Sequence, residues 1–432
     1  MNLSTAHSAN SNVLFLTYLF PPIANSGTRR SLEFANRLPD LGWTPLVVAG
    51  VPDPDELDEA LLDEVRPVTS VVRVPLGAAQ LARRIGGWLR SPRVAEGLAW
   101  RIRALWTVPD YCISWKGGAV AAAMDLFHTR GFDVIYASGW PWSSFLIAEE
   151  LSRRTGKPFV IDYRDLWGDM GVKYERPRGI ERFINVNKRQ QQRVLASADD
   201  VVTTTQVFAQ MLSQRAGGRK VHTITNGFAK EDFAGFGPAV GLSESRQVSI
   251  SYTGIWRSGY GPDDLYAAIR ELKRQMPDLA RRLRVTMAGF RPGRAAEQGI
   301  DDVVEELGRV THGKALEIMK HSDALYLPVS GGLYDRAHLP GKIFEYVGSG
   351  RRIVASAEQG SEVRRVLQAV GLYRAVVPGD IKGLTNIVSD LVNGAGFDRF
   401  EPRSLEALAV YERTSQAVAL AQVLEGAREK GS

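Results

Sequence analysis

What constrains this chain most is an alternation that runs along its whole length and starts over once. Short apolar, β-branched runs take turns with longer amphipathic ones. Residues 13–18 (Val-Leu-Phe-Leu-Thr-Tyr) read as a strand. A turn with Pro21, Pro22 and Gly27 follows, then a helical stretch through Ser31, Leu32, Phe34, Ala35 and Leu38, closed by Gly42. Residues 45–49, 71–74, 133–137, 158–163 and 201–205 read as further strands, with helices at 145–151 and 180–195. After Asn226-Gly227 the pattern restarts with strand-like runs at 247–253, 284–288, 324–329, 352–355 and 374–377. Pro262 with Asp263 and Asp264 opens a helix, since proline at the first helical position and acids in the first turn are start signals. Other helices are expected near 314–319, 342–347, 361–370 and 381–392, and 404–427 reads as one long amphipathic helix. Such alternation predicts parallel sheets covered by helices on both faces.

The chain is therefore expected to be two doubly wound α/β units in series, joined in the turn-rich stretch 226–242. A length of 432 residues fits two domains better than one. Ligands of open α/β sheets bind beyond the carboxyl ends of the strands. That puts the candidate site in loops 19–28, 138–143, 162–167, 254–261, 289–294 and 330–342, with the working cleft expected between the two sheets. The single cysteine, Cys112, excludes a disulfide framework and a cysteine zinc site and fits a reducing compartment. The six histidines form no pair at helical metal-ligand spacing. A net charge of +6 favours anionic partners without choosing among them. Residues 1–12 lack the apolar stretch of a secretory signal, and no run reaches the roughly 20 apolar residues of a spanning helix.

The strongest motif is Leu339-Pro340-Gly341-Lys342-Ile343-Phe344-Glu345-Tyr346-Val347-Gly348-Ser349-Gly350. Pro340 suits a first turn, and the helix it opens offers free N–H groups and a positive dipole end to an anion. Lys342 can neutralise a diphosphate, and Glu345, one turn in, can accept hydrogen bonds from the vicinal hydroxyls of a ribose. The competing reading is a solvated i,i+3 ion pair. Polar residues also follow the apolar run at 159–161: Asp162, Tyr163, Arg164 and Asp165. Asp162 or Arg164 is expected to touch a ligand, the alternative being a structural Asp–Arg pair that orders the loop. Ser138-Gly139-Trp140-Pro141-Trp142 can form an acceptor wall or simply pack its tryptophans. From 81 to 106, six arginines and three tryptophans interleave with aliphatic residues against one acid, Glu96. That composition suits an anionic membrane surface; core packing with a basic face, or single-stranded nucleic acid, are the alternatives.

The 339–350 stretch resembles the donor-binding segment of the retaining glycosyltransferase family 4. Glu345 matches the second glutamate of that family's Glu-x7-Glu motif, and Ala337 stands where the first would be, with Asp335 and His338 close by. The likeness extends over nearly the whole chain. The run 16–22 followed by Gly27-Thr28-Arg29-Arg30 is similar to the family's opening strand and glycine loop, where Arg29 or Arg30 can serve an anionic acceptor or the diphosphate. Arg164-Asp165 stands at the place of a common His-Asp pair. Tyr252-Thr253-Gly254-Ile255-Trp256-Arg257 is similar to the phosphate-facing glycine loop, with Arg257 as the diphosphate arginine. Ala288-Gly289-Phe290 follows the next strand, Val310-Thr311-His312 resembles the segment beside the nucleotide base, and Thr225-Asn226-Gly227-Phe228 matches the inter-domain turn.

The resemblance implies a GT-B fold, with two Rossmann-like domains facing across a cleft. An acceptor-binding domain is expected at 1–228, a nucleotide-sugar-binding domain at 229–403, and a helix at 404–432 returning to the first domain. It implies metal-independent sugar transfer with retention, from a nucleotide diphosphate sugar (UDP being the family's commoner nucleotide, GDP remaining open) to a glycan or lipid-linked acceptor. Surface-glycan assembly at the cytoplasmic face of the plasma membrane is the implied setting, with no nucleic-acid partner. Arg257, Lys342, Asp162 and Arg164 are the expected catalytic residues. Gly27, Gly254, Gly289, His312, Leu339, Pro340, Gly341, Lys342 and Glu345 are expected to bind the donor. A sugar-nucleotide epimerase of the same fold, or a non-catalytic sugar-nucleotide-binding partner, are the alternatives.

Overall fold

The apolar runs become the strands of two parallel sheets. The computed structural model describes residues 11–52, 57–77, 108–168, 181–237, 247–254, 262–289, 291–329, 332, 336–394, 400 and 404–431. Arg257, Asp335 and the basic, tryptophan-rich segment 81–106 lie outside the described residues. The chain divides into two units, Met1–Thr225 with Gln416–Ser432 and Asn226–Ser415.

In the first unit the strands are β1 (Ser11–Leu16), β2 (Trp43–Gly50), β3 (Ser70–Val74), β4 (Val134–Gly139), β5 (Phe159–Tyr163), β6 (Asp200–Thr203) and β7 (His222–Thr223). They lie in the order β3-β2-β1-β4-β5-β6-β7, all pairs parallel. The principal helices are α1 (Ser26–Arg37), α2 (Lys116–Arg130), α3 (Ser143–Thr155), α4 (Glu181–Ser197) and α5 (Gln206–Arg215). The apolar run of β1 does not alternate because both sheet faces are covered, and Val13 through Leu16 are all fully buried.

In the second unit β8 (Val248–Thr253), β9 (Leu283–Ala288), β10 (Val304–Gly308), β11 (Ala324–Pro328), β12 (Arg352–Ser356) and β13 (Tyr373–Val376) form a sheet ordered β10-β9-β8-β11-β12-β13. Around it run α6 (Asp263–Gln275), α7 (His312–Lys320), α8 (Lys342–Ser349), α9 (Glu362–Val370), α10 (Ile381–Asn393) and α11 (Leu405–Ala409). In both sheets the strand order reverses beside the first strand, between β1 and β4 and between β8 and β11. Such a reversal opens a crevice at the carboxyl ends of the strands.

The stretch expected as one helix from 404 to 427 is two, α11 and α12 (Arg413–Lys430). Between them the backbone pairs with the inter-unit turn instead. Phe228 N–H donates to the Tyr411 carbonyl at 3.0 Å, and Arg413 N–H donates to the Phe228 carbonyl at 2.9 Å. Those groups cannot also serve an unbroken helix. Beyond the break, α12 buries Ala417, Leu420, Leu424 and Ala427 in the first unit's core with Val13, Phe15, Leu32 and Ala35.

Candidate functional site

In the second unit the crevice between β8 and β11 collects the strongest motif. Pro340 and Gly341 lead into α8, and Gly350, in the left-handed region at φ 66°, ends it. The helix starts with short i→i+3 bonds, Ile343 N–H to the Pro340 carbonyl at 3.1 Å and Phe344 N–H to the Gly341 carbonyl at 3.2 Å. No side chain caps it. Its apolar face, with Ile343, Phe344 and Val347, packs into a core that also takes Leu339. Leu339 is therefore a buried anchor, and the amides of the turn after it are what a ligand can meet.

Lys342 does not pair with Glu345 in the way a solvated i,i+3 pair would. Its ammonium folds across to β8, 3.7 Å from the centre of the Tyr252 ring, and donates to the Tyr252 hydroxyl at 2.5 Å. Burial pushes the lysine down to about 7, and the charge of Glu345 only partly opposes that. A second tie joins the same two elements, since Thr253 N–H donates to the Tyr346 hydroxyl at 3.0 Å. Gly254 follows at the strand end, and a Cβ there would fall on the lysine's end, 2.7 Å from its Cε. The glycine leaves room for the ammonium. Glu345 is half-buried in the first turn of α8, and Ala337, at the place of the family's first glutamate, is buried.

Beside this lies the carboxyl end of β9. Gly254 N–H donates to the Ala288 carbonyl at 3.0 Å, and Gly289, at φ 111°, donates to the Gly308 carbonyl at 2.7 Å. Gly289, Arg291, Pro292, Gly308 and Arg309 line a shallow pocket. Glu306 anchors the loop, accepting from Gly293 N–H and the Tyr266 hydroxyl, each at 2.6 Å. His312 opens α7 just beyond and is exposed, with its Nε2 3.6 Å from Asp232 Oδ2.

The first unit uses its expected residues differently. Asp162 is fully buried and holds Arg30, with Nε at 2.7 Å and Nη2 at 3.1 Å, and takes the Tyr136 hydroxyl at 2.5 Å. Burial and the Asp162 charge push the Tyr136 phenol up, so it stays protonated as the donor. Burial weighs against the Arg30 charge, but Asp162 and Tyr136 outweigh it and raise the pKa. Arg30 also donates to the Thr225 carbonyl at 2.9 Å, which ties α1 to the end of the unit. Asp162 thus sits in a structural ion pair, but with Arg30 of α1 and not with an arginine of its own loop. A sequence separation of 132 hid it.

Arg164 donates to the Gly139 and Trp140 carbonyls, at 2.9 and 2.5 Å. Its guanidinium fills the space a Cβ at Gly27 would need, so it crosses the β1–β4 crevice. Burial lowers its pKa. Arg29 pairs with Glu64 at the surface. Trp142 stacks on Trp167 with centroids 6.1 Å apart, and Trp140 packs against Tyr111. Among the described residues no group of three His, Cys, Asp or Glu side chains is placed to hold a metal ion. Nor is any described helix long and apolar enough to cross a membrane. Tyr252 and Tyr346, which seat α8 on β8, carried no role in the sequence reading. Their only sequence signal is an aromatic at the end of the strand and another beside the glutamate.

Residues 27–227 match the family model described as a glycosyl transferase 4-like domain. No curated protein matches the sequence. The fold is similar to the sucrose-phosphate synthase of Thermosynechococcus elongatus, at 15% identity and TM-score 0.63, covering 96% of this chain and 98% of that one. It is similar to the trehalose-6-phosphate phosphatase N-terminal domain of Candida albicans, at 12% identity and TM-score 0.64, covering 96% and 97%. It is also similar to TarM, at 10% identity and TM-score 0.57, covering 98% and 99%. The chain thus has a GT-B fold and carries, at residues 27–227, a match to the glycosyl transferase 4-like domain.

Proposed function

We propose that this protein is a glycosyltransferase whose second unit takes up a nucleotide diphosphate sugar at the β8–β11 crevice. The observation that carries the reading is Lys342, seated on Tyr252 at the mouth of α8 with Glu345 in the same first turn. A lysine and a helix start present positive charge to a diphosphate, and a carboxylate one turn on suits the ribose. The pocket lined by Gly289 and Gly308 is the place for the base, and UDP fits the family resemblance better than GDP. The acceptor is a glycan or lipid-linked glycan held by the first unit, and a surface-glycan role is in keeping with a solved neighbour that is a lipopolysaccharide outer core galactosyltransferase. The arginines and tryptophans of 81–106 are assigned to an anionic membrane surface.

In the reaction the bond between the sugar's anomeric carbon and the β-phosphate oxygen breaks. A bond to the acceptor hydroxyl oxygen forms on the same face, with retention. The hydroxyl proton passes to the departing diphosphate. Negative charge grows on the leaving phosphate, and Lys342 with the positive end of α8 and the amides of the turn that leads into it stabilises it where it develops, without a metal ion.

A thermal-shift screen across nucleotides and nucleotide sugars is the first test, because a ligand that binds only the folded state raises the melting point. Sugar transfer to membrane extract by wild type and Glu345→Ala is the second. Loss of about 1–3 kcal/mol of donor binding is expected for the variant, a rise in Kd of roughly fivefold to 150-fold. Binding without turnover in wild type would favour a non-catalytic partner, and epimerised free nucleotide sugar would favour an epimerase. Gly254→Ala puts a methyl where the ammonium sits. The melting point should move by less than about 2 °C while donor Kd rises by about tenfold. Unchanged affinity in that variant would detach the Lys342 seat from donor binding.

A further inference from the structure

We propose that Tyr252 is the positioning residue for Lys342, and that seating a nucleotide diphosphate there is coupled to uptake of one solvent proton by the Lys342 amine. The inference rests on the donor-site reading above and adds a proton to it. Lys342 is half-buried against an aromatic face, and it forms no ion pair among the described residues. Among the described residues, the titratable groups packed around it leave the amine without a close counter-charge. Tyr252 on β8, Tyr346 on α8 and Tyr326 on β11 are all pushed up by burial, so they stay neutral phenols. Glu345, on the lysine's own helix, acts on it only over a distance, and burial outweighs it. The consequence is an amine that titrates near neutrality, at about 7, while the crevice is empty of anion.

An arriving diphosphate reverses the balance. Its two negative charges beside the amine favour the ammonium, so the bound lysine titrates far above its free value. The free amine takes a proton from the buffer as the complex forms. The number taken rises from almost none at about pH 5.5, through about half at pH 7, to nearly one at about pH 8.5. Donor affinity correspondingly falls about tenfold per pH unit above pH 7. Burial sets the midpoint low and the bond to the Tyr252 hydroxyl works against that, because a bond from the charged ammonium is stronger than one from a neutral amine. Without the hydroxyl the ammonium loses more than the amine, and the midpoint moves down.

The test is titration calorimetry of the full chain with UDP-glucose and with GDP-mannose. The phosphates of such diesters do not change protonation in this range. Each pH is run in two buffers of different ionisation enthalpy, so the heat difference counts protons. Wild type should take up nearly one proton at pH 8.5. Lys342→Arg, which cannot deprotonate, should bind with no uptake and a flat affinity from pH 6.5 to 9. Tyr252→Phe keeps the ring and should shift the uptake curve to lower pH. Binding without proton exchange in wild type overturns the coupling and leaves the donor site standing. Uptake that persists in Lys342→Arg assigns the proton elsewhere and overturns it too. An unmoved curve in Tyr252→Phe removes Tyr252 from the role. Failure of every nucleotide sugar to bind at any pH overturns the donor reading itself.

Discussion

Replacing Lys342 by methionine should lower kcat/KM for sugar transfer by about two to three orders of magnitude and leave the protein more stable than before. The loss follows from the charge that develops on the departing diphosphate, since one donor aimed at such a site is worth roughly 3–4 kcal/mol. The gain follows from the same burial. The Lys342 amine is pushed down to about 7 in the fold, against an ordinary lysine value in the unfolded chain. A lysine whose folded value is depressed destabilises the fold fully below that value. The penalty fades as pH rises from about 7 towards the unfolded value near 10.4. Methionine keeps the length and removes the penalty. The residue is only partly buried, so solvent screens some of it, and a gain of about 1–2 kcal/mol is expected at pH 7. Melting curves at pH 7 and pH 10 check the sign, because the advantage of the variant should shrink as pH rises. A variant that is inactive and also less stable would make Lys342 a structural residue.

The fold was legible because burial on both sheet faces writes itself as continuous apolar runs, and eleven of the strands fall on runs read from the sequence. β10 (Val304–Gly308) escaped because it is an edge strand carrying Glu305 and Glu306 among its five residues. β7, two residues long, has no pattern to read. α2 escaped although Ala119, Val120, Ala123 and Leu126 do lie on one buried face, because its many alanines and glycines blur the apolar stripe. At the site, the order Pro340, Lys342, Glu345 and Gly350 announced a helix mouth, since all four act within one short helix. What could not be read was anything set by contacts far apart in the chain. The partner of Lys342 is Tyr252, 90 residues away, and that of Asp162 is Arg30. For Arg164, too, the sequence did not disclose the internal partners, the Gly139 and Trp140 carbonyls some 25 residues earlier.

Asp162→Ala is therefore expected to act on stability before it acts on transfer. The carboxylate is wholly enclosed and takes Arg30 Nε on Oδ2 and Nη2 on Oδ1, with the Tyr136 hydroxyl also donating to Oδ2. Removing it strands a buried cation and leaves a phenol without its acceptor. Breaking a buried pair on one side costs about 3–5 kcal/mol, a large part of a stability of about 5–15 kcal/mol. The melting transition of the first unit should fall by roughly 10 °C. Tyr136→Phe removes only the third bond and should cost about 1 kcal/mol. Arg30→Met combined with Asp162→Ala withdraws both charges, and the pair should be less damaging than the two single effects summed. The double variant loses the Arg30 bond to the Thr225 carbonyl as well, so recovery is partial. If Asp162 touched the donor or acceptor, Asp162→Asn held folded at low temperature would lose transfer by orders of magnitude. A partner buried against Arg30 instead predicts kcat/KM within about threefold of wild type there, the defect appearing only as temperature rises.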